Sequence, residues 1–194
     1  RNEDYVRYWF EVSQNNSCRG AKDRDEALAS RAKWFPYNKG GEKRKWYGND
    51  EFVVNWKNDG HQLQTRKHPS GGRVWAHNFN LDYIFKKSLS WSDITTKGLS
   101  VRVFPKGFLF DATGLSAFPV ENEACLSMLA AICNSKVGDY LASMLNPTLH
   151  FKSGDFANIP VPKIDTFQFK HCVDRAVEIA KTDWSMFETS PDFK

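Results

Sequence analysis

The sequence predicts an α+β domain: an irregular, mostly antiparallel sheet followed by helices. Three observations predict it. Up to Pro119, short apolar segments alternate with polar residues between turns rich in Gly, Pro and Asn. Beyond it, Ala124–Leu145 carries Leu126, Leu129, Ile132, Val137, Leu141, Met144 and Leu145 at three- and four-residue spacing. Charge is uneven as well: residues 1–110 hold 20 Lys/Arg against 12 Asp/Glu, whereas residues 111–194 hold 7 against 11. We therefore expect a sheet-rich basic part over 1–119 that works against an anion, and a helical scaffold over 120–194 of the same domain.

Taken in order, Tyr5–Val12 is apolar and aromatic and predicts a short strand or helix. Arg24–Lys33 has helical composition, and Pro36 stops any helix and pushes Phe35 toward extended backbone. Phe52, Val54 and Trp56 alternate with Val53, Asn55 and Lys57, a strand pattern closed by the turn Asn58-Asp59-Gly60. His61–Gly72 reads as an exposed loop, and Val74–Phe85 as a mixture of strand and irregular or helical chain. Ser88–Thr95 alternates Leu89, Trp91 and Asp93 with small polar residues, and Ala112–Phe118 reads as a loop feeding another short extended piece. Val101–Phe104 and Phe108–Ala112 flank Pro105-Lys106-Gly107, which predicts a hairpin.

Glu121-Asn122-Glu123 opens the helical part with acidic groups at the positive end of a helix. Asn134-Ser135 and Gly138 divide 124–145 into two helices, ended by Asn146-Pro147. Thr148–Phe156 is loop or strand, Ile159–Pro162 is extended, Phe167–Lys181 is an amphipathic helix, and 184–194 is a polar, aromatic tail.

Composition narrows the function. A chain of 194 residues with seven Trp and fifteen Phe can bury a sizeable core. No apolar run reaches the ~18–20 residues of a membrane span, and no signal peptide is present. The chain begins at Arg1 with no methionine, and Asn2–Phe10 already reads as folded sequence, so we expect a piece of a larger protein. Cys18, Cys125, Cys133 and Cys172 form no metal-ligand spacing and read as reduced thiols of a cytoplasmic protein. His61, His68, His77, His150 and His171 are scattered, and no nucleophile elbow, zinc-protease motif or phosphate loop is present.

The binding features are stronger. Lys33–Gly60 (KWFPYNKGGEKRKWYGNDEFVVNWKNDG) sets Lys39, Lys43, Arg44 and Lys45 beside a Gly-Gly turn, with Trp34, Phe35, Tyr37, Trp46 and Tyr47 around them. Such a stretch suits phosphate contact and stacking on bases; it equally describes a hairpin whose aromatics are core and whose lysines are solvated. Arg66, Lys67 and Arg73 follow on a glycine-bearing loop, and Arg102 and Lys106 on the predicted hairpin. Arginines there can read guanine edges, and Gln62, Gln64, Asn78 or Asn80 adenine edges. The expectation is one concave positive face holding Lys39, Lys43, Arg44, Arg66, Lys67 and Arg102.

Several blocks resemble one family. Lys33–Gly60, SLSWSDIT (Ser88–Thr95), FPKGFLFDATGLSAFP (Phe104–Pro119), LNPTLHFKSGDFANIPVP (Leu145–Pro162) and DWSMFETSPDF (Asp183–Phe193) resemble, in order, blocks downstream of the catalytic domain in PglX-type adenine-specific DNA methyltransferases of the BREX phage-exclusion system. The pattern is also similar to target-recognition domains of type I specificity subunits and single-chain restriction–methylation enzymes.

The resemblance implies a target-recognition role against double-stranded DNA, with S-adenosylmethionine and the NPPY-type catalytic motif in another domain of the same polypeptide. Asn146-Pro147-Thr148-Leu149 lacks the second proline and the aromatic that stack on a flipped adenine. No cofactor loop is present either, so the resemblance implies neither catalysis nor a cofactor within this piece. A different class of function is a protein-interaction module that docks the methyltransferase to other defence components or to a phage inhibitor.

Overall fold

The alternation at Phe52–Asn55 makes the strand (β3) around which the first part of the protein forms. In the computed structural model, which describes residues 2–76, 80–94, 98–120, 122–162 and 167–193, the chain divides into two units that interleave along the sequence. Unit 1 is Arg1–Tyr37, Glu51–Lys86 and Pro105–Leu109; unit 2 is Asn38–Asp50, Lys87–Phe104 and Phe110–Lys194. The composition change at Pro119 is therefore not where packing divides the chain. Glu121, His77, Asn78 and Thr95, which carried expectations above, lie outside the described residues.

β1 (Val6–Tyr8), β2 (Trp34–Asn38), β3 and β6 (Leu109–Phe110) form a four-stranded sheet in the order β1-β3-β2-β6. Its residues belong to unit 1 except the strand-end residues Asn38 and Phe110. β3 runs antiparallel to both neighbours, with Val54 opposite Val6 on one side and Phe35 on the other. Val53, Val54, Phe35 and Phe85 are buried, and the rings of Phe35 and Phe85 meet edge-on with centroids 5.8 Å apart.

The turn after β3 is left-handed at three successive residues: Asn58, Asp59 and Gly60 have φ of 52°, 57° and 70°. Asn, Asp and Gly tolerate that conformation best. The Trp56 ring packs where a Cβ on Gly60 would stand. Asp59 accepts a hydrogen bond from the Trp56 indole at 3.3 Å and pairs with Arg24 of α1 (Arg24–Ala29), itself capped by Asp23. The stretch expected as a loop from His61 is helical to Thr65, as the regular part of α2 (Lys57–Thr65).

In unit 2, β4 (Ser88–Ser92) is the centre of a three-stranded antiparallel sheet in the order β5-β4-β7, with β5 at Arg102–Phe104 and β7 at Gly114–Ala117. Leu89 pairs with Val103 and Ala117. The sheet buries Leu89, Trp91 and Val101 against Leu126, Ala130 and Cys133 of α3 (Ala124–Asn134) and Val173 of α6 (Phe167–Trp184). Burial pushes the Cys133 thiol up to about 12, which leaves it protonated and inert at neutral pH.

Two buried amides hold this unit in register. Asn38 donates to the Ser90 hydroxyl at 2.6 Å and the Gly114 carbonyl at 3.2 Å. Asn134 accepts from the Val101 amide and donates to its carbonyl, both at 2.9 Å, so the end of α3 is stitched to the chain entering β5. The two-helix division is as expected: Ser135 caps α4 (Lys136–Leu145) by accepting from the Gly138 amide, and Gly138 packs against the Ile132 carbonyl with no room for a Cβ. Ser153–Ala157 forms a short helix (α5) where loop or strand was expected.

The predicted hairpin is not formed. β5 and β6 belong to different sheets, so Pro105-Lys106-Gly107 is a crossing segment. The Gly107 amide donates to the Phe85 carbonyl at 3.0 Å, and the Phe85 amide donates to the Phe108 carbonyl at 2.8 Å. Among the described residues, no helix is long and apolar enough to cross a membrane.

Candidate nucleic-acid interface

The basic-aromatic stretch is split by the fold. Trp34–Tyr37 and Glu51–Gly60 belong to unit 1, and Asn38–Asp50 to unit 2. Within unit 2 the segment 44–50 is held by the C-terminal end of the chain, expected from the sequence as a polar, aromatic tail. Arg44 pairs with Asp183 at 2.8 Å, and its guanidinium lies over the Trp184 and Phe187 rings at 4.6 and 5.0 Å. The Trp184 indole donates to buried Asp50 at 2.6 Å. The Tyr47 hydroxyl sits 3.3 Å from Asp50 and 3.2 Å from Asp192. Burial and those two carboxylates raise the Tyr47 phenol far beyond its ordinary range.

These contacts reassign several candidates. Lys45 donates to the Asn134 carbonyl at 2.8 Å and pairs with Asp139 at 3.2 Å, so it fastens the segment to the α3–α4 junction. Trp46 bridges to β5 through its own backbone: its amide donates to the Val101 carbonyl and its carbonyl accepts from the Val103 amide, both at 2.8 Å. That docking holds Trp46 at φ 74°, a strained value for a bulky residue, while its ring packs on the unit 2 core. Arg102 is fully buried, with its guanidinium donating to the Arg44 carbonyl and the Ser92 hydroxyl. An arginine with no exposed surface cannot reach a groove, so Arg102 is corrected from a DNA contact to an internal tie. Lys39 is half-buried beside the Gly40 turn, and its carbonyl accepts from Thr113. Lys43 is exposed.

Unit 1 holds the other candidates. Arg66 is half-buried, pairs with Asp4 at 2.9 Å, and lies over the Tyr5 and Trp75 rings at 5.2 and 5.1 Å. The hydrogen bond to Asp4 raises the Arg66 guanidinium and lowers the Asp4 carboxyl. Lys67, Arg73 and Lys106 are exposed. Of the adenine-reading candidates, Gln64 is tied to the Asp59 carbonyl at 2.5 Å, whereas Gln62 and Asn80 are exposed. Of the six cations expected on one face, Lys39, Lys43, Arg44 and Arg102 belong to unit 2, and Arg66 and Lys67 to unit 1.

One cluster was not foreseen. Asp93, after β4, takes Lys152 at 2.7 Å and His150 at 3.3 Å, and its carbonyl accepts from the Phe151 amide. Burial would raise its carboxyl, but Lys152 and His150 outweigh burial and the net direction is down. The cluster pins the 150–152 loop over β4, where Trp91 donates to the Phe151 carbonyl. No local motif signals it, because the partners lie 57 and 59 residues apart. Among the described residues, no group of three or more His, Cys, Asp or Glu is arranged to hold a metal ion.

No family model matches the chain. Among curated proteins, it is 39% identical over 190 residues, 97% of its length, to the "Adenine-specific methyltransferase BrxX" of Escherichia coli O9:H4 (strain HS). It is also 39% identical over 160 residues, 82% of its length, to the "Adenine-specific methyltransferase PglX" of Lacticaseibacillus casei (strain Zhang). The chain is related to one segment of the BrxX/PglX adenine-specific methyltransferases. It spans 14% and 13% of the lengths of those two relatives. The BrxX match takes in both units, so neither unit lacks a counterpart in that methyltransferase.

Proposed function

We infer that the chain is the target-recognition segment of a longer adenine N6 DNA methyltransferase that works in phage defence in the cytoplasm. The observation that carries the reading is the 97% coverage by an adenine-specific methyltransferase of a chain that has neither an NPPY-type motif nor a glycine-rich cofactor loop. Chemistry and S-adenosylmethionine then belong to the rest of the polypeptide, and this segment contributes contact with double-stranded DNA. Flipping an adenine out of the stack costs a few kcal/mol, and contacts made around the site offset that cost. The exposed cations Lys43, Lys67, Arg73 and Lys106 support the electrostatic part of such contact.

The test uses the full-length methyltransferase that carries this segment. Lys43→Ala combined with Lys106→Ala is expected to weaken duplex binding about tenfold near physiological salt and to flatten the salt dependence of log K by about 2. Binding is followed by fluorescence anisotropy across a salt series. An unchanged slope rejects the reading. Replacing Arg44 and Lys45 is a poor test, because both are tied within unit 2.

A second reading has one observation in its favour. On α4, Val137, Tyr140 and Met144 recur along one helix face and are 64%, 66% and 65% exposed. That stripe suits packing against another part of a BrxX-like polypeptide, which is several times longer than this chain. Under that reading alone, the lysine substitutions leave the salt slope untouched.

A further inference from the structure

Residues 66–75 fold back on themselves within unit 1. Lys67 and Val74 form an antiparallel bridge, the His68 amide donates to the Arg73 carbonyl at 2.9 Å, and the Trp75 amide donates to the Arg66 carbonyl at 2.8 Å. The Gly71 amide closes the tip on the His68 carbonyl at 2.8 Å, and the Ser70 amide donates to His68 Nδ1 at 3.2 Å. Gly71 and Gly72 have φ of +81° and +85°, and apart from their own chain neighbours no residue places a heavy atom within 4 Å of where either Cβ would be. The tip therefore stands clear of neighbouring side chains, with a main chain that only glycine adopts without strain.

The two ends of this ribbon differ in kind. Its base is fixed: Arg66 is clamped by Asp4, Tyr5 and Trp75, and the His68 ring meets the Trp75 ring edge-on at 5.5 Å. Beyond the base, Lys67 and Arg73 are exposed on opposite arms, and Pro69, Ser70, Gly71 and Gly72 are exposed between them. A rigid base, a two-stranded body, cationic flanks and a tip without bulk are what a groove about 12 Å wide admits. Lysine is a point charge suited to phosphate, and arginine a planar fork suited to guanine O6 and N7.

We propose that this ribbon, Arg66 to Trp75, enters the major groove of the target DNA, with Arg73 reading a guanine edge, Lys67 contacting a phosphate and Arg66 acting as a positioning residue at the base. The proposal rests on the target-recognition reading above. It changes the role expected for Arg66, whose guanidinium already has its partners, and gives the reading role to Arg73.

The experiment uses the full-length methyltransferase, with the methylated motif read by whole-genome methylation mapping and binding by anisotropy on a duplex carrying that motif. Arg73→Lys keeps the charge and removes the fork. It is expected to leave non-specific binding intact and to relax one guanine position of the motif about tenfold or more. Lys67→Ala is expected to weaken binding to all duplexes alike and to lower the salt slope by about 1. Both positions are exposed, and thermal melting of each variant confirms that folding is retained. If Arg73→Lys and Arg73→Ala both leave the motif and methylation rate unchanged while the Lys43/Lys106 double variant lowers the salt slope, the ribbon proposal fails and the recognition reading stands. If the slope is unchanged as well, both fail.

Discussion

Trp184→Ala is expected to destabilise unit 2 by about 4 kcal/mol, as large-to-small replacement of a buried aromatic does. The ring is 6% exposed, forms one side of the Arg44 stack, and supplies the indole donor to Asp50 at 2.6 Å. Removing it opens a cavity and strips a buried carboxylate of one partner, the Tyr47 hydroxyl staying 3.3 Å from Asp50. Trp184→Phe separates the terms. It keeps an aromatic surface under Arg44 and loses the donor, so its cost is expected at about 2 kcal/mol. Urea unfolding of both variants gives the comparison. A midpoint unchanged by Trp184→Ala would show that the tail does not hold the 44–50 segment. The tail block and the basic-aromatic block, which resemble the same family at opposite ends of the chain, are thus two halves of one structural lock.

Trp91→Ala is the second large effect, expected at about 4 kcal/mol. Trp91 is 1% exposed on β4, its ring lies parallel to Phe156 with centroids 4.1 Å apart, and its indole donates to the Phe151 carbonyl at 2.8 Å. Those contacts carry the 150–157 segment, including α5, onto the sheet. The variant should lose near-ultraviolet circular dichroism at lower urea than the parent, and proteolysis should cut first within 148–158. Trp91→Phe keeps most of the stacked area and should recover more than half of the loss. Equal losses from the two variants would contradict the assignment to packing.

Much of the helical part was legible in the sequence because its signals are local. The 3–4 spacing over 124–145 and the breaks at Asn134-Ser135 and Gly138 all act within a few residues of themselves, and the structure contains the two helices they predict. β3 and its left-handed Asn-Asp-Gly turn were legible for the same reason. What failed depended on partners far along the chain. Pro36 pointed to extended backbone at Phe35, but the pairing of β2 with β3, about 18 residues on, has no local signal. The Pro-Lys-Gly signal at 105–107 described a turn correctly, but local chemistry could not reveal that the flanking strands join different sheets.

The cations show the same divide. Composition identified them as a group and could not sort them, because Arg102 and Lys43 look alike until burial is known. Arg102 lies under the 44–46 segment, Lys45 serves the α3–α4 junction, and Arg66 stands between two aromatic rings. Lys43, Lys67, Arg73 and Lys106 remain as exposed charge.

The central claim is that this segment chooses the DNA sequence its methyltransferase modifies. It is tested most directly by exchanging the matching segment of the Escherichia coli BrxX, 39% identical over 190 residues, for this chain and mapping methylated adenines across the host genome. The claim predicts that methylation persists and moves to a new motif, and that grafting residues 66–75 alone moves part of it. Methylation that persists at the original BrxX motif after the whole segment has been exchanged would contradict the claim.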